Sequence, residues 1–177
     1  MHLKLRQLFL EIENQRKETL NSVVGFTQSQ LNQPLIPGKW SAAQILNHLI
    51  TAEQLSLRYM QKKFLGIKDT TDSGMLEEIK INLLILSQRL PGIKFKAPKA
   101  VMEQMMQLND LNSIATEWNK VREELALLLE KIPDDLVNRK IYRHAIAGYL
   151  SVKHSLIFFR EHITHHGVQL RKLTVTK

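Results

Sequence analysis

The stretch Lys39-Trp40-Ser41-Ala42-Ala43-Gln44-Ile45-Leu46-Asn47-His48-Leu49 holds the clearest helix start in the chain. Ser41 followed by Gln44 is an S-x-x-Q capping box, in which the serine hydroxyl accepts from the backbone N–H of residue 44 and the glutamine side chain reaches back to the N–H of residue 41. Trp40, one residue outside, is placed to staple onto Ile45. The helix that opens here is predicted to run from Ala42 to about Phe64 and to stop near Gly66. Ile45, His48, Ala52, Leu55 and Tyr59 form one stripe along it, which puts a histidine among apolar neighbours.

Outward from this helix the helical period recurs. A first helix is expected from about Lys4 to Gln30, ended by Pro34 and Pro37-Gly38. Downstream, Asp72 or Ser73 can cap a helix from about Met75 to Leu90, after which Pro91-Gly92 and Pro98 mark an extended crossing segment. A third long helix starts around Asp110, carries Leu111, Ile114, Trp118, Val121, Leu125, Leu128 and Leu129, and ends at Pro133. Asp134 to Leu150 reads as a short helical turn and a loop, and a fourth long helix follows from about Val152 to Leu173 with Ser151 as its cap. No segment reads as a convincing strand. Four helices of roughly 20 residues or more, two short connections and one long crossover describe an all-α four-helix bundle, expected to form one domain over residues 1–177. The short connections make helices one and two, and helices three and four, antiparallel, while the crossover permits two and three to be parallel.

Seven histidines and no cysteine among 177 residues leave imidazole, carboxylate and hydroxyl groups to carry any chemistry. Thiolate zinc knuckles, iron–sulfur clusters, cysteine nucleophiles and disulfide frameworks are excluded. No run approaches the roughly 18–20 apolar residues that a membrane span needs. Met1 to Glu13 lacks the apolar core and small-residue cleavage site of a secretory signal, so the expected compartment is the cytoplasm. The net charge of +8 is spread over Lys62, Lys63, Lys94 to Lys99, Arg139 to Arg143, Arg171 and Lys172, and only 6% of residues are aromatic. Without an arginine-rich run or a stacking platform, the charge reads as a solvated surface rather than a nucleic-acid footprint.

The strongest chemical signal is Glu161-His162-Ile163-Thr164-His165-His166 in the fourth helix. His162 and His166 stand four apart, so they share one face and could share a metal. Phe159, His162, His166, Leu170 and Leu173 make that face largely apolar and direct the two imidazoles inward, with His165 at its margin. An H-x-x-x-H pair alone is weak, because a surface pair or a hydrogen-bonded core pair has the same spacing. His48 changes the balance. Three inward imidazoles are hard to satisfy by hydrogen bonds, and burying an unpaired polar group costs a few kcal/mol. If helices two and four are antiparallel neighbours, the three reach a similar depth and form a His₃ set with open positions, which Zn²⁺, Ni²⁺ or Fe²⁺ would accept alike. Other templates fail: Ile163 follows His162 where a zincin needs glutamate, no Glu-x-x-His pair of the di-iron bundles is present, and there is no G-x-S-x-G nucleophile elbow.

Taken together, Lys39 to Leu49, the stretch His162-Ile163-Thr164-His165-His166-Gly167-Val168-Gln169, and His144-Ala145-Ile146-Ala147-Gly148-Tyr149-Leu150-Ser151 resemble the DinB superfamily. This is a group of metal-binding four-helix bundles that includes the bacillithiol- and mycothiol-dependent S-transferases. The resemblance spans nearly the whole chain. It implies an up-down-down-up topology, in agreement with the long crossover between helices two and three. It puts the metal ligands on His48, His162 and His166, the same three that facing selects, and it implies a homodimer, for which no exposed apolar stripe identifies an interface. One departure is visible: family members often carry His-Pro before the last helix, where this chain has His144-Ala145. His144 is a pocket-margin or loop-packing residue, with packing the favoured role.

Three functions compete on these residues. The leading one is a metal-dependent enzyme similar to the S-transferases, in which the metal lowers the pKa of a low-molecular-weight thiol that then attacks an electrophile. The second keeps the site and activates water for hydrolysis. It needs a general base, and Glu53 and Glu161, the nearest carboxylates in sequence, are not clearly inward. The third is a non-catalytic bundle that binds a ligand or partner.

Overall fold

The computed structural model describes residues 1–89 and 97–175. Its helices are α1 (Leu3–Asn21), α2 (Gln28–Asn32), α3 (Ala42–Phe64), α4 (Met75–Arg89), α5 (Lys99–Glu103), α6 (Leu111–Lys131) and α7 (Val152–Val175), with a hairpin of β1 (Tyr142–His144) and β2 (Gly148–Leu150) before the last. The long helices α1, α3, α6 and α7 form the bundle.

Side-chain pairs set its directions. Glu11 meets Arg160 and Gln15 meets Thr164, so α1 and α7 run parallel. Asn47, early in α3, meets Leu108 just ahead of α6, and Glu53, six residues on, meets Trp118, so α3 and α6 are parallel as well. In α1 and α6 the order reverses, with Glu13 near Arg122 and Arg16 on Asn119. This is the expected up-down-down-up four-helix bundle. Its core is built on Trp118, Phe159, Leu46, Leu49, Ile50 and Ile12, all essentially sealed from solvent. Among the described residues no helix is long and apolar enough to cross a membrane.

The capping box of α3 forms as read, with Ser41 Oγ accepting from the N–H of Gln44 and Gln44 Oε1 accepting from the N–H of Ser41. The first helix is shorter than expected. It stops at Asn21, because β-branched Val23 and Val24 lead into Gly25 and a second capping box, Thr27 with Gln30, starts α2 afresh. Neither Asp72 nor Ser73 caps α4 as expected. Glu77 accepts from the N–H of Gly74, Ser73 donates to the Asn138 carbonyl, and Asp72 pairs with Arg139. Pro91-Gly92 lies outside the described residues, and Pro98 opens α5.

Two further expectations are corrected. Residues 142–150 are not a plain loop: Tyr142 pairs with Leu150 and His144 with Gly148 in an antiparallel ladder. Strands of three residues are too short to show a period of two. An exposed apolar stripe does exist, on α4, where Leu76, Ile79, Leu83 and Leu86 face solvent.

Candidate metal centre

α3 and α7 cross with the two expected histidine faces opposed. Nε2 of His48 lies 3.1 Å from Nε2 of His162, and Nε2 of His166 lies 3.1 Å from the same atom. All three rings are buried, and their ligand atoms lie within 4.8 Å of one another. They meet edge to face, with centroids 4.7 to 5.0 Å apart.

Proton counting shows what such a cluster wants. Gln169 Oε1 can only accept, so the His166 Nδ1 beside it at 3.1 Å carries the proton and Nε2 keeps its lone pair. A proton on His162 Nε2 can be given to His48 or to His166, which leaves the other facing lone pair to lone pair. Nδ1 of His48 and Nδ1 of His162 have no hydrogen-bond partner among the described residues. A cation among the three Nε2 atoms would take up all three lone pairs, so the residues present fit a bound metal. Burial holds His48 down to about pKa 4, with the nearby His165 charge adding to it. Burial likewise lowers His166 to about 3, with His48 adding, and His162 well below the usual value, with His166 and His48 adding. All three imidazoles are therefore neutral near pH 7, the form that ligates.

Several neighbours were not legible from the stripe alone. Trp40 also walls the cluster: its ring stacks on His166 (6.4 Å, 6°) and meets His48 edge-on at 5.1 Å. Phe158 stacks on His162 at 5.1 Å from four positions earlier on α7. Gln169 sits three residues after His166, a spacing that puts the pair on one helix face and could have flagged it. Its amide nitrogen points to His165 Nε2 at 3.5 Å, so His165 is half-buried beside the cluster, its ring 5.1 Å from that of His166.

His144 holds the hairpin. Its Nδ1 accepts from the N–H groups of Ile146 and Ala147, and its ring packs edge-on against Phe158 at 4.6 Å. Phe158 stands between His144 and His162, and the charge of His144 adds to the lowering of the His162 pKa. His2 caps α1 by accepting from the N–H of Lys4. His154 is buried at the start of α7, where its Nδ1 accepts from the N–H of Ser151. Ser151 therefore shares the capping of α7 with a histidine.

The two carboxylates considered as bases are both buried and both engaged. Glu53 accepts from Trp118 Nε1 at 2.9 Å and from Arg122 at 2.7 Å. Glu161 is held by Arg89 at 2.6 Å and Arg160 at 3.3 Å. Glu53 stands five residues after His48, about 140° around the helix, and so faces α6 rather than α7. α3 has a neighbour on each side, which is why its buried surface is wider than one stripe, while Leu55 and Tyr59 are only half-buried.

Comparison with known proteins agrees with this picture. YuaE of Bacillus subtilis (strain 168), an uncharacterised protein, is 23% identical over 158 residues, covering 89% of this chain and 91% of its own. In three dimensions the chain is similar to YfiT of Bacillus subtilis, described as "a probable metal-dependent hydrolase with an unusual four-helix bundle topology". That match has a TM-score of 0.59 at 16% identity and covers 95% of this chain and 84% of YfiT. The family model of the DinB superfamily matches residues 11–170. With that match over most of its length, on an up-down-down-up bundle with three imidazoles turned inward, the chain belongs to the DinB superfamily.

Proposed function

We propose that the protein is a divalent-metal enzyme that activates a low-molecular-weight thiol for transfer to an electrophile, with His48, His162 and His166 as the ligands. The observation that carries the reading is the convergence of three buried, neutral Nε2 atoms with no carboxylate joining them among the described residues. Three nitrogen ligands leave positions open, as catalytic sites do. A divalent cation bound there supplies positive charge that lowers the pKa of a thiol or water at an open position. Gln169 keeps His166 in the ligating tautomer, and Trp40 and Phe158 wall the rings with apolar surface. The chain has no cysteine, so the sulfur arrives with the substrate.

Activation of water is the second reading, and the description of YfiT favours it. Against it stands the engagement of Glu53 and Glu161 in ion pairs, which leaves neither free as a general base. The test starts with protein purified without an affinity tag. Zinc, nickel and iron are quantified in it, and then in His48→Ala and His166→Ala. One equivalent of metal in the wild type and none in the variants is expected; unchanged content in the variants would overturn the ligand set. The metal-loaded protein is then offered an electrophile with a panel of small thiols, and separately ester and amide substrates. Thiol-dependent conjugation is expected, and turnover of the esters alone would replace the transfer reading with hydrolysis.

A further inference from the structure

An open cleft of about 570 Å³ lies where the end of α3, the connection to α4 and the hairpin meet. Lys63 of α3, Lys80 of α4 and Lys140 ahead of β1 line it, together with Thr71 and Tyr149. It is set apart from the metal centre. None of the three clustered histidines lines it, and Lys63 stands fifteen residues after His48 on α3, about 22 Å along the helix axis.

The backbone fixes one wall. The N–H of Lys140 donates to the Thr71 carbonyl at 3.0 Å and the N–H of Ser73 to the Asn138 carbonyl at 2.8 Å, which zips the segment after α3 onto the segment before β1. The charges on the walls do not cancel. Glu77 is the one acidic lining residue. It is buried, with Oε1 at 3.1 Å from Lys140 Nζ and Oε2 accepting from the N–H of Gly74 at 2.8 Å. Those two partners hold its carboxyl below the ordinary carboxylate range, so it is ionised at neutral pH and matched by Lys140. Lys63 and Lys80 have no ion-pair partner among the described residues. Two unmatched cations on one concave surface raise its potential and draw anions into it.

Size and donor type narrow the anion. The volume falls within the roughly 300–1,000 Å³ of small-molecule sites, which suits an anionic group attached to an organic body. Ammonium groups meet phosphate as point charges, each with three rotatable donors, and the exposed Thr71 and Tyr149 add hydroxyl groups. Asp69 and Asp72, both exposed, flank the Thr70-Thr71 pair, so a polymer of phosphates running past would meet like charge. We propose that this cleft is a second ligand site, taking a small organic phosphate whose phosphoryl oxygens are bound by Lys63, Lys80 and Lys140. It stands whether or not the histidine cluster holds a metal.

Calorimetric titration of the metal-loaded full chain with inorganic pyrophosphate tests this. One equivalent is expected to bind, with affinity that falls as salt rises. Lys63→Gln and Lys80→Gln, both at exposed positions that the fold tolerates, each weaken binding about tenfold or more, as loss of a hydrogen bond to a charged group does. Lys120→Gln removes the same charge from an exposed position on α6 and leaves the affinity unchanged. His48→Ala also binds as the wild type does. The absence of saturable binding overturns the proposal. So does equal weakening in Lys120→Gln, which would mean attraction by net charge alone, and so does loss of binding in His48→Ala, which would seat the anion on the metal. A single-stranded oligonucleotide that displaces pyrophosphate and is itself weakened by Lys63→Gln and Lys80→Gln overturns the assignment to a small ligand.

Discussion

α3 carries two buried polar clusters five residues apart, and they differ in one respect. Around Glu53 the charges balance: Glu13 and Glu53 stand against Arg16 and Arg122, and both Glu53 oxygens accept a hydrogen bond. Burial pushes the Glu53 carboxyl up and the Arg122 guanidinium down, each opposed by the other's charge. An arginine stays protonated in a protein, so the pair is ionic. Around His48 nothing balances: three lone pairs converge and the protein supplies too few protons to separate them. A polar cluster whose charges cancel holds helices together, even with Nε and Nη1 of Arg122 lacking a hydrogen bond among the described residues. One that leaves lone pairs facing each other is built around something else.

The contrast is sharpest in stability. Arg122→Met leaves Glu53 buried without its counter-charge, and the cost expected from chemical denaturation is roughly 3–5 kcal/mol, with metal stoichiometry unchanged. A loss of metal in that variant would merge the two clusters into one site. His48→Ala reverses the pattern. Metal at a hundredfold over its Kd should stabilise the wild type by about 2.7 kcal/mol, and this metal-dependent shift in the unfolding midpoint disappears in the variant. If the shift survives, the triad does not bind the ion.

Smaller effects separate the triad from its support. Gln169→Leu is expected to weaken metal binding about 10–100-fold by calorimetry, the usual cost of losing the group behind a ligating histidine. Gln169→Glu, which keeps an acceptor for His166 Nδ1–H, retains most of the affinity. The smallest effect is that of pH on affinity. Because burial holds His48 to about 4 and His166 to about 3, metal affinity should change little between about pH 7 and pH 5, whereas ligands with the ordinary pKa of about 6.5 would already be losing it to protons. The metal-free fold behaves differently over the same range. His48, His162 and His166 stay neutral while the unfolded chain takes up protons below about pH 6.5. The stability they contribute is therefore present above that pH and is lost as pH falls toward their folded values. A metal-free protein equally stable at both ends of the window would mean that the rings are not desolvated.

Much of this was readable one helix at a time. The S-x-x-Q box located α3 to the residue because capping is a local hydrogen-bond pattern, and Thr27 with Gln30 carried the same signal for the overlooked α2. The histidine spacing on α7 selected an inward pair because a helix repeats every 3.6 residues. The hairpin escaped because three residues show no period, and the second buried face of α3 because one stripe describes contact with one neighbour. The exposed face of α4 looked like any amphipathic helix until its packing against α7 was known.

The sequence by itself determined the helices, their caps, the order that requires a crossover and the three histidines worth watching, since all of these follow from short-range spacing. Only the tertiary structure decided that Nε2 of His48 meets Nε2 of His162 and His166, that Glu53 is closed off by Arg122, and that the outer face of α4 is left bare. Those facts depend on which helix lies beside which, and contacts between residues 114 apart are set by packing rather than by the period of any one helix.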